Sequence, residues 1–234
     1  MKRLLFLLVA LLSVLPIARA NHRFLCTDSA GGKVAVVAAD GSVEWEFACR
    51  HPQDCWALPN GHYLFCHAGG AIEMTPAKEI VWEYKAAEKT EVHACQPLGD
   101  GNVMVVECGP SRIVEIGRDG KIAREIKLPV PPASVSLHDQ YRGVRKTADG
   151  RYIVCRKGEH RVEVLDGEGR VLRALAVPGD VHEAVELPGG NLLVTCGDGH
   201  KVVEYDREGK VVWGLDENDL PGNPLRLMAG LQRL

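Results

Sequence analysis

Residues 197–213 read GDGHKVVEYDREGKVVW. Two short runs rich in β-branched residues flank Asp206-Arg207-Glu208-Gly209, and the second run closes on Trp213. Such runs around a polar, Gly-ended turn spell a β-hairpin. Extending the stretch upstream gives four strands: His182–Leu187, Asn191–Cys196, Lys201–Tyr205 and Lys210–Leu215. Pro-Gly-Gly, Gly-Asp-Gly and Arg-Glu-Gly separate them, each a turn-forming combination of glycine and polar residues.

The same order of strand and turn recurs along the chain. FLCTDSAGGKVAVVAADGSVEWEF (24–47), the segments 56–84, 95–126 and 144–175, and AVELPGGNLLVTCGDGHKVVEYDREGKVVWGL (184–215) align without long gaps. Their second strands share a cysteine: Cys26, Cys66, Cys108, Cys155 and Cys196, spaced 40, 42, 47 and 41 residues apart. The widest spacing has a local cause. KLPVPPASVSLHDQY (127–141) is a Pro-rich excursion, and proline lacks the donor that a central strand needs. Units of roughly 40–45 residues with four strands each define an all-β fold, a β-propeller of four-stranded blades. The expected units are 24–51, 52–90, 91–140, 141–180 and 181–222. Residues 223–234 read as the beginning of a sixth, because Leu227–Leu234 matches the innermost strand of earlier units. The first unit starts at the position of a second strand, so its innermost strand is missing. On this reading the ring is incomplete and one to two blades are expected beyond Leu234.

Residues 1–20 stand apart. Lys2 and Arg3 precede an apolar run, Leu4–Leu15, and Ala18-Arg19-Ala20 is a small-x-small cleavage site, so a secretory signal is expected there. The run is short of the ~20 residues a spanning helix needs. The expectation is therefore an exported chain, periplasmic or extracellular, with no membrane association after cleavage and a propeller over 21–234. Without Lys2, Arg3 and Arg19 the chain holds 25 basic against 31 acidic residues. That mild acidity, with no basic run, argues against nucleic acid as a partner.

VVEYDREGKVVW (202–213), VEIGRDGKIAREI (114–126) and VAADGSVEWEF (37–47) resemble the repeats of pyrroloquinoline-quinone-like β-propellers. HEAVELPGGNLLVTCGDG (182–199) is similar to arylsulfotransferase-like and other bacterial exported propellers. The resemblance implies that the repeat-ending tryptophans Trp45, Trp82 and Trp213 pack between neighbouring blades. Arg124 and Arg173 stand at the same position in the third and fourth units. Quinone enzymes of this type also carry vicinal cysteines, calcium-binding acids and eight blades. This chain has no Cys-Cys and fewer units, so no pyrroloquinoline quinone, nor any other cofactor, is expected.

The aligned cysteines read as small buried residues. Cys49 and Cys55 lie off that register around Arg50–Asp54 and are candidates for a local disulfide. A metal site there, with His51, is the weaker reading, and no metal is assigned. His93 and His182 open inner strands at matching positions, where the fourth unit has Arg142 and the second Gln53. His138 lies in the long loop, and His160 and His200 match one another in loops between second and third strands. Propeller geometry puts all six candidates, His93, His138, Arg142, His182, His160 and His200, on one face around the channel mouth. Asp54, Glu183 and Arg226 are weaker additions. Histidine and arginine there suit an anionic or polyol ligand, or proton transfer. No GxSxG, HExxH or phosphate-loop motif points to catalysis. The expected role is a module binding a small molecule, glycan or protein. An enzyme (transferase, lyase or hydrolase) using the rim is the alternative, and a scaffold with no small-molecule ligand a third.

Overall fold

The computed structural model describes residues 23–197 and 199–219. The expected signal segment and the expected start of a sixth unit lie outside them. Among the described residues nineteen strands form five antiparallel sheets, and every strand pairs with its neighbour in sequence. The chain is all-β, a five-bladed β-propeller with only two short 3-10 turns among the described residues. Blade 1 has three strands, Phe24–Asp28, Lys33–Val37 and Val43–Ala48; blades 2 to 5 have four each. The inner strands of blades 2 to 5 are Pro52–Ala57, Glu91–Pro97, Tyr141–Lys146 and Val181–Glu186.

The turns explain why the sequence folds this way. Within the repeating turn between third and fourth strands, Gly120 donates its amide to Gly117 and Gly209 to Asp206. Both glycines have positive φ, 78° and 86°, a region that Cβ sterics close to most residues. Polar side chains reinforce the bends: Asp40 Oδ1 accepts from the Ser42 amide at 2.9 Å, and Asp119 Oδ1 from the Lys121 amide at 3.1 Å.

The blades hold together through apolar layers between sheets rather than within them. Val34, Val36 and Phe47 of blade 1 pack against Tyr63, Phe65 and Met74 of blade 2. Met104 and Ile113 of blade 3 meet Tyr152 and Leu165 of blade 4, and Cys155 and Val162 of blade 4 meet Val194 and Cys196 of blade 5. Each fully buried aliphatic side chain contributes about 1.5–3 kcal/mol relative to exposure. Of the five aligned cysteines, four are buried and Cys26, in the first strand of blade 1, is half-buried.

From the third residue of the outer strand in blades 1 to 4, one side chain reaches into the next blade. Trp45 Nε1 donates to the Pro76 carbonyl at 2.9 Å, and Trp82 Nε1 to the Gly117 carbonyl at 3.1 Å. Arg124 Nη2 donates to the Gly167 carbonyl and Arg173 Nη2 to that of Asp206. All four acceptors lie in the turn between third and fourth strands of the following blade. Arginine thus replaces tryptophan without losing the bond, because both end in a planar N–H donor on a long side chain. Trp213 holds the same position in blade 5, but no described blade follows, and it is 47% exposed. Among the described residues it does not wedge between two sheets.

Candidate functional site

A single irregularity, repeated four times, builds the centre of the molecule. In each four-stranded blade the inner strand slips register against the second strand: between Pro52 and Cys55, Val92 and Cys95, Tyr141 and Val144, and Val181 and Glu183. A bulge of this kind releases a residue from the ladder and re-aims its side chain. The released residues are Gln53 and Asp54, His93, Arg142 and His182, the positions at which the sequence units match. Gln53, Asp54, His93, Arg142, Arg145, His182 and Glu183 line one central cavity of about 1520 Å³. Its remaining wall is formed partly by Phe24–Thr27 of blade 1.

Arg142 is buried, with Nη1 donating to Gln53 Oε1 at 2.9 Å and Nη2 on His138 Nε2 at 2.5 Å. Its Nε–H has no acceptor among the described residues. Deeper in the channel, Arg145 donates to two carboxylates from different blades, Asp54 Oδ2 and Glu183 Oε2, each at 2.7 Å. The same guanidinium stacks over Trp56, 5.3 Å from the ring centre. Burial pushes the Glu183 carboxyl up to about 7, against the pull of Arg145. Gly143 makes this approach possible: a Cβ there would lie 2.7 Å from both Glu183 Oε1 and the His182 carbonyl.

The Pro-rich excursion folds back over this rim. Its 3-10 turn, Leu137–Asp139, is tied down by Ser136 Oγ donating to Asp139 and by Lys157 Nζ on Asp139 Oδ1 at 2.5 Å. His138 is thereby held 5.1 Å from His93, ring centre to ring centre, nearly perpendicular. Both histidines contact Glu91 Oε2, at 2.9 Å from His93 Nε2 and 3.0 Å from His138 Nδ1. Burial, with Arg142 nearby, pushes His93 down to about 4, so its imidazole is neutral at pH 7.

The structure therefore brings four of the six sequence candidates together: His93, Arg142 and His182 in the channel wall and His138 at its mouth. His160 and His200 do not line the cavity. Each sits in the left-handed region, φ 50° and 49°, at the turn between second and third strands. That turn is one strand further from the axis than the bulges. His160 instead faces Asp180, with Nδ1 3.3 Å from Oδ1. The Cys49–Cys55 disulfide is not formed; all eight cysteines are free. Cys49 extends the outer hairpin of blade 1, its amide bonded to the Gly32 carbonyl, whereas Cys55 pairs with Phe65 in blade 2. Sequence reading missed Glu91 and Arg145. The available signal for Glu91 was its i, i+2 spacing from His93, which puts both side chains on one face of a strand.

No known family profile matches the chain, and no curated protein does. Solved structures do. A protein of unknown function from Bacteroides caccae superimposes with a TM-score of 0.76 at 26% identity, over 85% of this chain and 74% of that one. A catalytically inactive virginiamycin B lyase from Staphylococcus aureus, solved with quinupristin, gives 0.62 at 17%, over 82% and 66%. A streptogramin B lyase gives 0.60 at 13%, over 86% and 70%. The likeness is one of β-propeller fold.

Proposed function

We propose that this chain is an exported β-propeller that binds a small, oxygen-rich ligand, anionic or polyol, in its central channel. One observation carries the reading: four bulges in four successive blades turn Gln53, Asp54, His93, Arg142 and His182 into one cavity. A bulge repeated in every inner strand costs ladder hydrogen bonds four times over, which packing alone does not require. The donor set suits oxygen acceptors, since Arg142 presents a planar fork of N–H groups and histidine donates or accepts. The cavity exceeds the roughly 300–1,000 Å³ of ordinary ligand pockets, so it has room for a sugar-sized or larger molecule.

The test is a thermal-shift screen of sugar acids, phosphates, sulfates and neutral sugars, followed by calorimetry on any compound that raises the melting temperature. The Arg142→Gln, His182→Ala double variant is expected to lose the shift while melting near the parent temperature without ligand. A hit that binds this variant equally well would move the ligand out of the channel, and a blank screen would leave the scaffold reading in its place.

Glu183 favours a second reading, acid–base catalysis in the same channel. A carboxyl that titrates near 7 can give or take a proton at neutral pH, and His182 precedes it in the same strand. Turnover that follows a titration near pH 7 and disappears in Glu183→Gln would establish it. The lyases among the structural neighbours suggest no substrate here, since at 13–17% identity only the fold carries over.

A further inference from the structure

We propose that Glu91, His93 and His138 form a binding site for a divalent transition-metal ion of the zinc class at the channel mouth. The proposal shares His93 with the channel wall, but its other two residues, Glu91 and His138, do not line that cavity, so the metal and the channel ligand can be tested apart.

The donor set comes first. Nδ1 or Nε2 of two histidines and one carboxylate oxygen lie within 4.8 Å of one another. Two imidazoles with one carboxylate are the ligands of open, three-residue sites for zinc and its neighbours in the first transition row. Around such an ion, with bonds of ~2.0–2.2 Å, ligand atoms sit roughly 3.2–3.6 Å apart. The two contacts to Glu91 Oε2, 2.9 and 3.0 Å, open slightly to admit the ion. The wider separation closes through His138, whose side chain is 55% exposed and free to adjust.

The second observation is a conflict of acceptors. His93 Nδ1 lies 2.9 Å from the Tyr141 carbonyl oxygen, which only accepts, so Nδ1 carries the ring proton. Nε2 then turns its lone pair onto Glu91 Oε2, a second acceptor, at 2.9 Å. A cation between them satisfies both. The Tyr141 carbonyl is the partner that a metal-ligating histidine ordinarily has on its other nitrogen, where it fixes tautomer and ring plane. His93 is itself buried, 5% exposed, so this orientation is enforced by packing.

The elements supply a built frame. Glu91 and His93 share one face at the start of the inner strand of blade 3, and the tied-down 3-10 turn brings His138 over them. Three protein ligands leave a fourth position for water or for a ligand atom. Arg142 opposes metal. It donates to His138 Nε2 in the structure, but a His138 that gives its Nδ1 lone pair to a metal carries its proton on Nε2. Arg142 must then release His138, and it keeps Gln53.

The experiment is titration of chelator-stripped protein with Zn²⁺ by calorimetry and with Co²⁺ by visible absorption. One equivalent is expected, with the intense bands of four- or five-coordinate cobalt and no sulfur-to-cobalt charge transfer. Glu91→Gln and His138→Ala, both at half-buried or exposed positions, are each expected to weaken binding by more than the roughly 10–100-fold that an outer-shell partner contributes. Arg142→Gln is expected to tighten it about 10-fold or more, because glutamine accepts the His138 Nε2 proton. This variant weakens the channel ligand while strengthening the metal, so the two readings fail separately. Unaltered affinity in Glu91→Gln or His138→Ala, or a thiolate band from the cysteines, would overturn the site. So would the absence of binding, and a nitrogen NMR signature of a doubly protonated His93 would then identify a proton as the cation between the two acceptors.

Discussion

Glu183 and Asp54 share one guanidinium, and at the residue scale that division decides how the protein responds to pH. Arg145 reaches both oxygens of Asp54 but one of Glu183, while burial favours the uncharged form of Glu183 and lifts its carboxyl from 4.5 to about 7. The folded state therefore holds this proton more tightly than the unfolded chain does. Its contribution to stability is complete below about pH 4.5 and is lost as pH rises through about 7. Urea midpoints at pH 5 and pH 8 should show the parent losing more stability than Glu183→Gln over this interval, by at most about 3 kcal/mol. Parallel losses would mean that Arg145 keeps Glu183 ionised throughout. The tryptophan-to-arginine replacements teach a related lesson. From the sequence, Arg124 and Arg173 break the repeat, because identity is all that a sequence shows; in the structure they make the bond that Trp45 and Trp82 make. Glu91 and Arg145 escaped notice for the opposite reason. Charged residues are common on strand ends; the carboxylates that Arg145 meets lie in other blades, and Glu91 meets His138 only through the fold of the long loop.

At the scale of the element, the hairpin turns were legible and the bulges were not. Gly-ended turns announce themselves by composition, and the fifth unit's strands fall within a residue of the positions read from the turns. An inner-strand bulge leaves no such mark: PQDCW, VHACQ, YRGVR and VHEAV carry Gln, His, Arg and His at the released position, with no residue type common to all four. Among the described turns between third and fourth strands, one departs from the glycine rule. Lys78 occupies the left-handed position of blade 2, φ 68°, bonded to Thr75 as Gly209 is to Asp206. A side chain there costs roughly 1–2 kcal/mol, partly offset because glycine has more unfolded-state freedom to lose. Lys78→Gly is expected to stabilise the protein by about 0.5–1 kcal/mol in chemical denaturation. Gly120→Ala, where a Cβ would meet nothing within 4 Å, should destabilise through backbone conformation alone. Equal stability for Lys78→Gly and parent would place the strain elsewhere.

For the whole molecule, contact across the channel matters as much as contact around it. Arg145 of blade 4 reaches Asp54 of blade 2 and Glu183 of blade 5, so one side chain ties three blades at the axis. Arg145→Ala is expected to cost about 3–5 kcal/mol, because it strands buried carboxylates rather than merely removing a bond. The loss should be smaller at pH 5 than at pH 8, and smaller still in an Asp54→Asn, Glu183→Gln background. A loss independent of both would show that Arg145 acts through its packing on Trp56. Around the ring the logic differs. Each of the four described junctions has a donor within one outer strand and a carbonyl in the next blade's turn, always in the same direction. Blades 2 to 4 thus each have a plug on one side and a socket on the other, as in a heterologous, head-to-tail assembly. Whole blades can be duplicated or deleted in evolution without redesigning a single junction. Such a chain can change its circumference, and with it the width of the channel, while the chemistry of every seam is preserved.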